Sequence, residues 1–297
     1  MKRIFFKHAF IFVLVALIGV QAFARDFPAT VQDKTGHSVT MEKKPVKIIS
    51  LGAASTEILY AVGAEKQIAA VADVSNYPES AKKLPKIGGF DAKTISLEKI
   101  VAFRPDLIII YSGMHDFLIP SFEKFKIPYY VSNDATVSDV IDEIMDIAIL
   151  TGHKSTGSSL VKKYNKIVED ISKATKSSGK DRPNVFWEVY NAPYMSAGNK
   201  SFINDVISIS GGRNIFEDVD QAYPVVSEET IIASNPDIIL LPNDMYSSSD
   251  TVKTRHGWQN INAVKNGKIV IINADVYTRS GPRIFDALQE LYRIFYR

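Results

Sequence analysis

Short apolar runs alternate with longer amphipathic segments along most of the chain. Runs such as KIIS, LIII and IVII are followed or preceded by segments with helical spacing, such as STEILYAV and VIDEIMDIAI. The runs show no two-residue alternation, which is typical of parallel strands covered by helices on both faces. The pattern therefore predicts the α/β class, with parallel sheets built from strand–helix units.

One segment near the start has a different period. The sequence ATVQDKTGHSVTM alternates apolar and polar positions on either side of the turn residues DKTG. Two alternating runs joined by a glycine-containing turn predict an antiparallel hairpin, with Gly36 at the turn.

The strand–helix pattern is interrupted once, by a long amphipathic helix predicted over about 155–176. At about 1.5 Å per residue this helix would be ~33 Å long. Its single apolar stripe, opposite a heavily charged face, consists of Leu160, Val161, Tyr164, Ile167, Val168 and Ile171. The polar linker KSSGKDRP follows, and the strand–helix pattern then resumes. We therefore expect an N-terminal lobe at 25–152, a connecting helix at 153–178 and a C-terminal lobe at 179–297.

The two predicted lobes share a repeated phrase. The segment SLEKIVAFRPDLIII at 96–110 aligns without a gap on SEETIIASNPDIILL at 227–241, with seven of 15 positions identical. Each copy reads as a capped helix, a turn and a buried strand, and each places a glutamate two residues after the capping serine. The repeat indicates two lobes of similar architecture.

The first 24 residues differ from the rest in charge and hydropathy. They hold three basic residues and no acidic residue, then an apolar run from Ala9 to Val20, then Ala22-Phe23-Ala24. This is the form of a secretory signal peptide, and we expect cleavage after Ala24. An uncleaved anchor is the alternative, but its uncharged stretch would span only ~24 Å as a helix, against ~30 Å of hydrocarbon.

Charge and cysteine content narrow the class further. Without the signal segment the chain carries 32 basic and 33 acidic residues, so a nucleic-acid or anionic-membrane partner is not expected. The absence of cysteine excludes disulfides, a catalytic thiol and a lipid-modified N-terminal cysteine. We therefore expect a periplasmic protein that is not a lipoprotein and acts as a monomer.

Signals for enzymatic chemistry are weak. The five histidines stand apart in the sequence, so no zinc site and no other metal site is predicted. The chain has no P-loop, no GxGxxG motif opening a helix and no GxSxG elbow. The sequence therefore predicts a binding protein with no cofactor of its own, rather than an enzyme.

Aromatic side chains cluster at the ends of predicted strands, where ligands of parallel α/β sheets bind. Two arginines accompany them, and this combination suits a large, flat ligand in one cleft between the lobes. The alternative is that the aromatic rings anchor loops. The residues at these strand ends, together with Tyr223 before the second repeated helix, are Tyr77, Phe90, Tyr111, His115, Tyr190, Tyr194, Tyr277, Arg279 and Arg283.

The paired glutamates, Glu98 and Glu229, allow two interpretations. A carboxylate in the first turn of a helix is favoured by the helix dipole, by about 0.3–1 kcal/mol. The dipole does not explain why both lobes place the acid at the same position. Two pseudo-symmetric lobes that each display one acid are suited to docking on a symmetric dimeric partner.

Several segments resemble class III substrate-binding proteins of ABC importers, the group that carries vitamin B12, haem and ferric siderophores. The resemblance covers nearly all of the chain after the signal segment and is carried by FPATVQDKTGHSVTMEKKPVKIISLGAASTEILYAVGA, YPESAKKLPKIGGFDAKTISLEKIVAFRPDLII, SFINDVISISGGRNIF and WQNINAVKNGKIVIINAD…SGPRI. It implies two Rossmann-like lobes joined by a rigid helix, with the ligand between them. It also implies that Glu98 and Glu229 pair with arginines of the two membrane subunits.

Within this family the cobalamin-binding branch is the most similar, through GGFD…LEKI, YPVVSEE and RSGPRI. That resemblance implies a corrinoid ligand lined by Phe90, Tyr111, Tyr190, Tyr223, Tyr277 and Arg279, with Tyr77, His115, Tyr194 and Arg283 as additional or axial ligands. The chain departs from this branch, which carries tryptophan where Phe90, Tyr111 and Tyr223 stand. A haem carrier using Tyr77, Tyr111 or His115, a ferric-siderophore carrier, a periplasmic tetrapyrrole- or metal-processing enzyme, and a sensor domain remain as alternatives.

Overall fold

The computed structural model describes residues 26–89 and 93–297, so the predicted signal peptide and Phe90 lie outside the described residues. Two four-stranded parallel sheets, each covered by helices, lie on either side of one long helix. The predicted α/β class with two lobes is confirmed. We call the chain before the long helix the N-terminal lobe and the chain after it the C-terminal lobe.

The N-terminal lobe contains one parallel sheet in the order β4-β3-β5-β6 and the predicted antiparallel hairpin β1-β2, paired from Ala29↔Met41 to Gln32↔Ser38. Its elements are β1 (Ala29–Gln32), β2 (Ser38–Met41), β3 (Ile48–Ser50), α1 (Ala53–Val62), β4 (Ile68–Val71), α2 (Leu97–Phe103), β5 (Leu107–Tyr111), α3 (Ile119–Phe125), β6 (Tyr129–Ser132) and α4 (Val137–Leu150). The long helix α5 (Lys154–Ser177) follows.

The C-terminal lobe contains a parallel sheet in the order β10-β7-β11-β12 and a short antiparallel pair, β8-β9. Its elements are β7 (Asn184–Trp187), β8 (Tyr190–Asn191), β9 (Tyr194–Met195), α6 (Phe202–Ile209), β10 (Arg213–Asn214), α7 (Glu228–Ser234), β11 (Ile238–Pro242), α8 (Asp250–Lys253), α9 (Asn262–Lys265), β12 (Ile269–Ile272), α10 (Ala274–Tyr277) and α11 (Ile284–Tyr296).

The repeated phrase adopts the same structure twice. Helix α2 and strand β5 have the same boundaries as α7 and β11 when the repeats are aligned. Ser96 accepts a hydrogen bond from the backbone N–H three residues later, and Ser227 does the same. Each helix ends at a residue in the left-handed region, Arg104 with φ of 49° and Asn235 with φ of 45°. Helix starts, helix ends and buried strands therefore coincide in the two lobes.

The shared aspartate of the repeat ties each buried strand to its neighbour. Asp106 Oδ2 accepts hydrogen bonds from the backbone N–H groups of Val46 and Lys47, at 2.8 and 2.9 Å. Asp237 Oδ2 accepts from the backbone N–H of Asn184 at 2.9 Å. Asp106 thus satisfies two donors just before β3, and Asp237 satisfies the donor of the first residue of β7. This requirement gives a structural reason for the aspartate in both copies.

Helix α5 joins the lobes as one rigid element. It comprises 24 residues, which corresponds to about 36 Å, and starts and ends within a residue of the prediction. Its buried positions are Gly157, Tyr164 and Ile171. A Cβ atom at Gly157 would collide with the Cβ of Ala148 on α4. Glycine is therefore needed for the close approach of α4 and α5.

A single hydrophobic core runs from one lobe to the other through this helix. The core includes Ile48 and Ile144 of the N-terminal lobe, Tyr164 of α5, and Trp187 and Phe285 of the C-terminal lobe. The rings of Tyr164 and Phe285 stack with centroids 3.9 Å apart and planes 9° apart. Each lobe also has a smaller hydrophobic cluster of its own, which packs against its sheet. The lobes thus share a core, which limits their relative movement.

Among residues 26–89 and 93–297, no helix has both the length and the apolar character required to cross a bilayer.

The shared core predicts that the two lobes unfold together. Phe285→Ala should lower the free energy of unfolding by about 3–5 kcal/mol, because a fully buried ring is lost and its cavity cannot close completely. Urea unfolding followed by circular dichroism should show one transition. Phe125→Ala, at a ring that is 48% exposed, is the matched control and should change the free energy little. Two separate transitions in the unsubstituted protein would contradict a shared core.

Candidate ligand-binding cleft and docking residues

A cavity of about 300 Å³ lies between the lobes, at the carboxyl end of the N-terminal sheet. One wall is formed by the loops that follow β3, β4 and β5, and the other by the segment after α10. Its lining residues are Leu51, Gly52, Ala53, Ala54, Val74, Tyr111, Met114, His115, Thr278, Arg279 and Ser280. Three of the predicted site residues, Tyr111, His115 and Arg279, therefore meet here.

The protonation of His115 follows from its surroundings. The backbone N–H of Tyr111 donates to Nδ1 of His115 at 3.0 Å, so the neutral ring carries its proton on Nε2. Burial lowers the pKa of His115, which keeps the ring neutral. Nε2 is buried without a hydrogen-bond partner among the described residues. His115 therefore has no free lone pair for a metal ion, because Nδ1 accepts a hydrogen bond and Nε2 carries the proton.

Tyr111 is half-buried at the end of β5. Its pKa is raised, mainly by burial and further by Asp134, Tyr223 and Glu143. Asp134 and Glu143 belong to the N-terminal lobe and Tyr223 to the C-terminal lobe, so groups of both lobes act on the ionisation of Tyr111. The phenol of Tyr111 thus stays protonated at neutral pH and presents an aromatic face with a neutral hydroxyl.

Both predicted arginines are engaged with carboxylates across the lobe junction. Arg283 Nη2 and Nε donate to the two carboxylate oxygens of Glu57 at 2.6 and 2.8 Å. Arg279 Nη2 donates to Asp275 at 2.5 Å and Nη1 to Asn76 at 2.7 Å. Glu57 and Asn76 belong to the N-terminal lobe, so these bonds connect the lobes. Little positive charge is left for an anionic ligand.

Tyr77 and Arg283 line a second cavity between the lobes, of about 320 Å³. The guanidinium carbon of Arg283 lies 4.2 Å from the centre of the Tyr77 ring, and Tyr77 is 46% exposed. Tyr164 of α5 also lines this second cavity. The structure therefore does not bring Tyr77 and Arg283 together with Tyr111 and His115.

The aromatic residues of the C-terminal lobe fall into three environments. Tyr190 and Tyr223 are each 46% exposed and available to a ligand. Tyr194 packs beside Trp258, with ring centroids 5.8 Å apart, and under the guanidinium of Arg255 at 5.1 Å. Tyr277 is 4% exposed and lies in the shared core, so it presents almost no surface to a ligand.

Sequence reasoning missed two apolar residues in the loop after β5. Met114 lines the cavity and is 47% exposed, and Phe117 is 44% exposed in the 3₁₀ turn that follows. A run of exposed apolar side chains in one loop favours a ligand contact. The only sequence signal was the position of YSGMHDF after a predicted strand.

The two glutamates occupy equivalent, exposed positions on α2 and α7. The hydroxyl of Ser96 lies 3.5 Å from a carboxylate oxygen of Glu98. The pKa of Glu229 is lowered by hydrogen bonds from its own backbone N–H and from Ser227. The neighbouring Glu228 differs, since it accepts a hydrogen bond from the indole N–H of Trp258 at 2.6 Å. Both docking candidates are thus accessible, and the lowered pKa keeps Glu229 ionised at neutral pH.

The described residues contain no group of three or more histidine, aspartate or glutamate side chains placed to hold a metal ion.

Two α/β lobes that share a cavity and are fixed by one long helix have the architecture of a protein that holds a small solute between its lobes. The chain belongs to the periplasmic binding protein family, whose model matches residues 48–276. Members of this family bind and deliver solutes, so the protein is a binding protein and not an enzyme, as the sequence predicted.

Two curated relatives cover most of the chain. The ABC transporter substrate-binding lipoprotein YvrC of Bacillus subtilis is 30% identical over 276 residues, which cover 91% of this chain and 86% of the relative. The vitamin B12-binding protein of Vibrio parahaemolyticus is 27% identical, covering 87% of this chain and 92% of the relative.

Two solved structures share the fold. The periplasmic vitamin B12 binding protein of Vibrio cholerae has a TM-score of 0.72 at 26% identity, and the match covers 84% of this chain and 96% of that chain. A possible iron-binding periplasmic solute-binding protein of Staphylococcus epidermidis has a TM-score of 0.74 at 32% identity, with coverages of 86% and 100%.

The predicted localisation is wrong where it excludes a lipoprotein. The relative in Bacillus subtilis is a lipoprotein, so lipid attachment occurs among proteins this similar to the chain. The prediction was inferred from one property of the sequence alone, the absence of cysteine. The periplasmic role itself agrees with the family.

The ion pairs at the junction predict a large and specific loss of stability. Arg283→Met should lower the free energy of unfolding by about 3 kcal/mol, because it leaves Glu57, whose side chain is 3% exposed, without its main partner. The double variant Glu57→Leu with Arg283→Met should lose less, since no buried charge remains unpaired. Urea unfolding of both variants measures the difference. Lys166→Gln, which breaks an exposed pair on α5, is the control and should have little effect. A double variant no more stable than Arg283→Met would contradict this reading of the junction.

Proposed function

We propose that the protein captures a corrinoid between its lobes and delivers it to the membrane subunits of an ABC importer. The observation that carries the proposal is the cavity itself. Its walls are apolar and aromatic, and the nearby arginines are already bonded to side chains of the protein. A corrinoid presents an apolar ring face and neutral amide side chains. Such a ligand needs aromatic contacts and neutral hydrogen-bond donors, rather than free positive charge.

Two exposed tyrosines of the C-terminal lobe, Tyr190 and Tyr223, are proposed as further contacts outside the cavity. A volume of about 300 Å³ is at the small end for a ligand site. A large chelate would therefore insert one face between Tyr111 and the segment of Arg279, and rest on Tyr190 and Tyr223 outside. Phe90, outside the described residues, remains a candidate contact on the resemblance alone.

The relatives favour the same ligand class. Proteins of Vibrio parahaemolyticus and Vibrio cholerae that match over most of the chain bind vitamin B12. We carry this ligand class over to the present protein as a proposal, at 27% and 26% identity.

A carrier of an iron chelate is the second candidate, because the relative from Staphylococcus epidermidis is a possible iron-binding protein at 32% identity. Two features weigh against direct ligation of iron by the protein. His115 uses Nδ1 to accept from Tyr111, and the raised pKa of Tyr111 disfavours a phenolate. A haem or ferric-siderophore ligand would thus have to be held by its organic part.

We further propose that Glu98 and Glu229 contact the two membrane subunits of the importer. The two carboxylates stand at equivalent positions of the repeat, on helices with the same start and the same end. Each helix packs on its own sheet, through Ile100 of α2 and Ile231 of α7, and the shared core joins the two lobes. A rigid pair of exposed acids is suited to a partner that offers two equivalent basic sites.

Calorimetric titration of the purified protein with cyanocobalamin tests the ligand. We expect one-to-one binding below micromolar, and a loss of about 2 kcal/mol, or roughly 30-fold in Kd, for Tyr111→Ala and for Tyr223→Ala. Phe125→Ala removes an exposed ring outside the cleft and should bind normally. If cyanocobalamin gives no heat while haemin or a ferric siderophore binds, the corrinoid is excluded and the carrier function stands.

Charge reversal at both glutamates tests the docking proposal. Glu98→Arg with Glu229→Arg should abolish uptake of the ligand by cells while the Kd for the ligand in solution is unchanged. The matched control is Glu42→Arg with Asp181→Arg, which reverses one exposed acid on each side of α5. Uptake that survives the first double variant would rule out these residues as the contact.

A further inference from the structure

One arginine supplies the fixed positive charge in the wall of the cleft. Among the described residues that line the cavity of about 300 Å³, Arg279 is the only arginine or lysine, and none is an aspartate or a glutamate. The side chain of Arg279 is 18% exposed. The charge of this side chain is therefore the property of the wall that distinguishes a neutral ligand from an anionic one.

Asp275 and Asn76 hold the guanidinium of Arg279 from behind the wall. Nη2 of Arg279 donates to Oδ1 of Asp275 at 2.5 Å, and Nη1 donates to Oδ1 of Asn76 at 2.7 Å. Nδ2 of Asn76 donates in turn to Oδ2 of Asp275 at 2.7 Å. The three side chains thus form a closed ring of hydrogen bonds across the lobe junction. Neither Asp275 nor Asn76 lines the cavity.

The charges that meet at this junction cancel. Both carboxylate oxygens of Glu57 accept from Arg283, and Oε1 of Glu57 also lies 3.5 Å from Nη1 of Arg279. Two guanidinium groups are thus joined to two carboxylates, those of Glu57 and Asp275. Because Glu57 is already engaged by Arg283, the aspartate is the group that neutralises the arginine of the cavity wall.

A ligand that carries carboxylates meets a cost at this wall. Its carboxylate would have to displace Asp275 from the guanidinium or lie beside it, where like charges repel. A ligand with neutral amide oxygens does not meet this cost. A guanidinium has five N–H donors, and Asp275 and Asn76 take one each, so donors are left for a neutral oxygen.

We propose that Asp275 sets the charge selectivity of the cleft, by neutralising Arg279 and so disfavouring chelates that carry carboxylates relative to neutral ones. Asp275 is a positioning residue, since it acts through Arg279 and does not itself line the cavity. The inference rests on the proposed function in one respect, that a chelate binds in this cleft. It does not require the chelate to be a corrinoid.

The test compares ligands that differ in carboxylates on the same ring. One pair is cyanocobalamin and its monocarboxylic acid, in which one side-chain amide is hydrolysed, and the other is haemin dimethyl ester and haemin. Calorimetric titration gives the Kd of each ligand for the unsubstituted protein and for Asp275→Asn. This variant keeps the shape of the side chain and removes its charge.

Asp275→Asn should bind the carboxylate form of the ring about tenfold more tightly than the unsubstituted protein does, since one charge-assisted hydrogen bond becomes available. The Kd of the neutral form should change by less than about twofold, because neutral oxygens do not depend on the net charge of the wall. The gain should shrink as the salt concentration rises. A merely structural role of Asp275 would weaken the binding of both forms together.

An exchange of the two side chains provides the rescue. In Asn76→Asp with Asp275→Asn the carboxylate moves to the N-terminal lobe, and each hydrogen bond of the ring keeps one donor and one acceptor. The affinity for the carboxylate form should return to that of the unsubstituted protein. Asp250→Asn removes an acid from an exposed pair with Lys253 on α8. It is the matched control for net charge and should leave the selectivity unchanged.

The outcomes separate this inference from the corrinoid proposal. If the unsubstituted protein binds haemin or its ester but not cyanocobalamin, the corrinoid is excluded and the haem pair decides the role of Asp275. The inference is overturned if Asp275→Asn binds neither carboxylate form more tightly than the unsubstituted protein. It is also overturned if the exchange variant keeps the gain, or if Asp250→Asn shows the same gain.

Discussion

The packing of α4, α5 and α11 into one core is the constraint on which the rest of the structure depends. Because Tyr164 and Phe285 stack across the junction, the lobes cannot move apart without opening apolar surface to water, at about 25 cal/mol per Å². The cleft therefore has nearly fixed walls, and the glutamates on α2 and α7 keep a nearly fixed separation. A cleft that needs little reorganisation and a defined spacing of the two proposed docking acids follow from the same contact.

Polar groups at the junction complement this core. Arg283 and Arg279 bind carboxylates and an amide on both sides of the boundary, so the positive charge that the sequence offered to a ligand is used inside the protein. The cavity that remains is bounded by Tyr111, Met114 and a neutral His115. These walls favour the proposed neutral, partly apolar ligand, and this character is a consequence of how the lobes are joined.

The architecture was predictable because it follows from local patterns in the amino-acid sequence. The repeat, the hairpin around Gly36 and the apolar stripe of α5 each depend on residues close together in the sequence. The site was less predictable, because its chemistry depends on distant pairs. Glu57 and Arg283 are 226 residues apart, and nothing near Arg283 indicates its partner. Likewise, Tyr277 resembles a loop tyrosine in sequence, yet tertiary packing buries it in the core.

The two lobes display equivalent exposed acids on α2 and α7, but their buried acids have different partners. This difference bears on function. In the C-terminal lobe the buried acid after β7, Glu188, is paired with Arg255, at 2.9 Å from Nη2, and bonded to Tyr246. In the N-terminal lobe the buried acid Glu143 is instead bonded to the hydroxyl groups of Ser132 and Ser55. Docking needs equivalent exteriors, since the proposed partner has two equivalent halves. Ligand binding requires no such symmetry, so the interiors of the two lobes are free to differ.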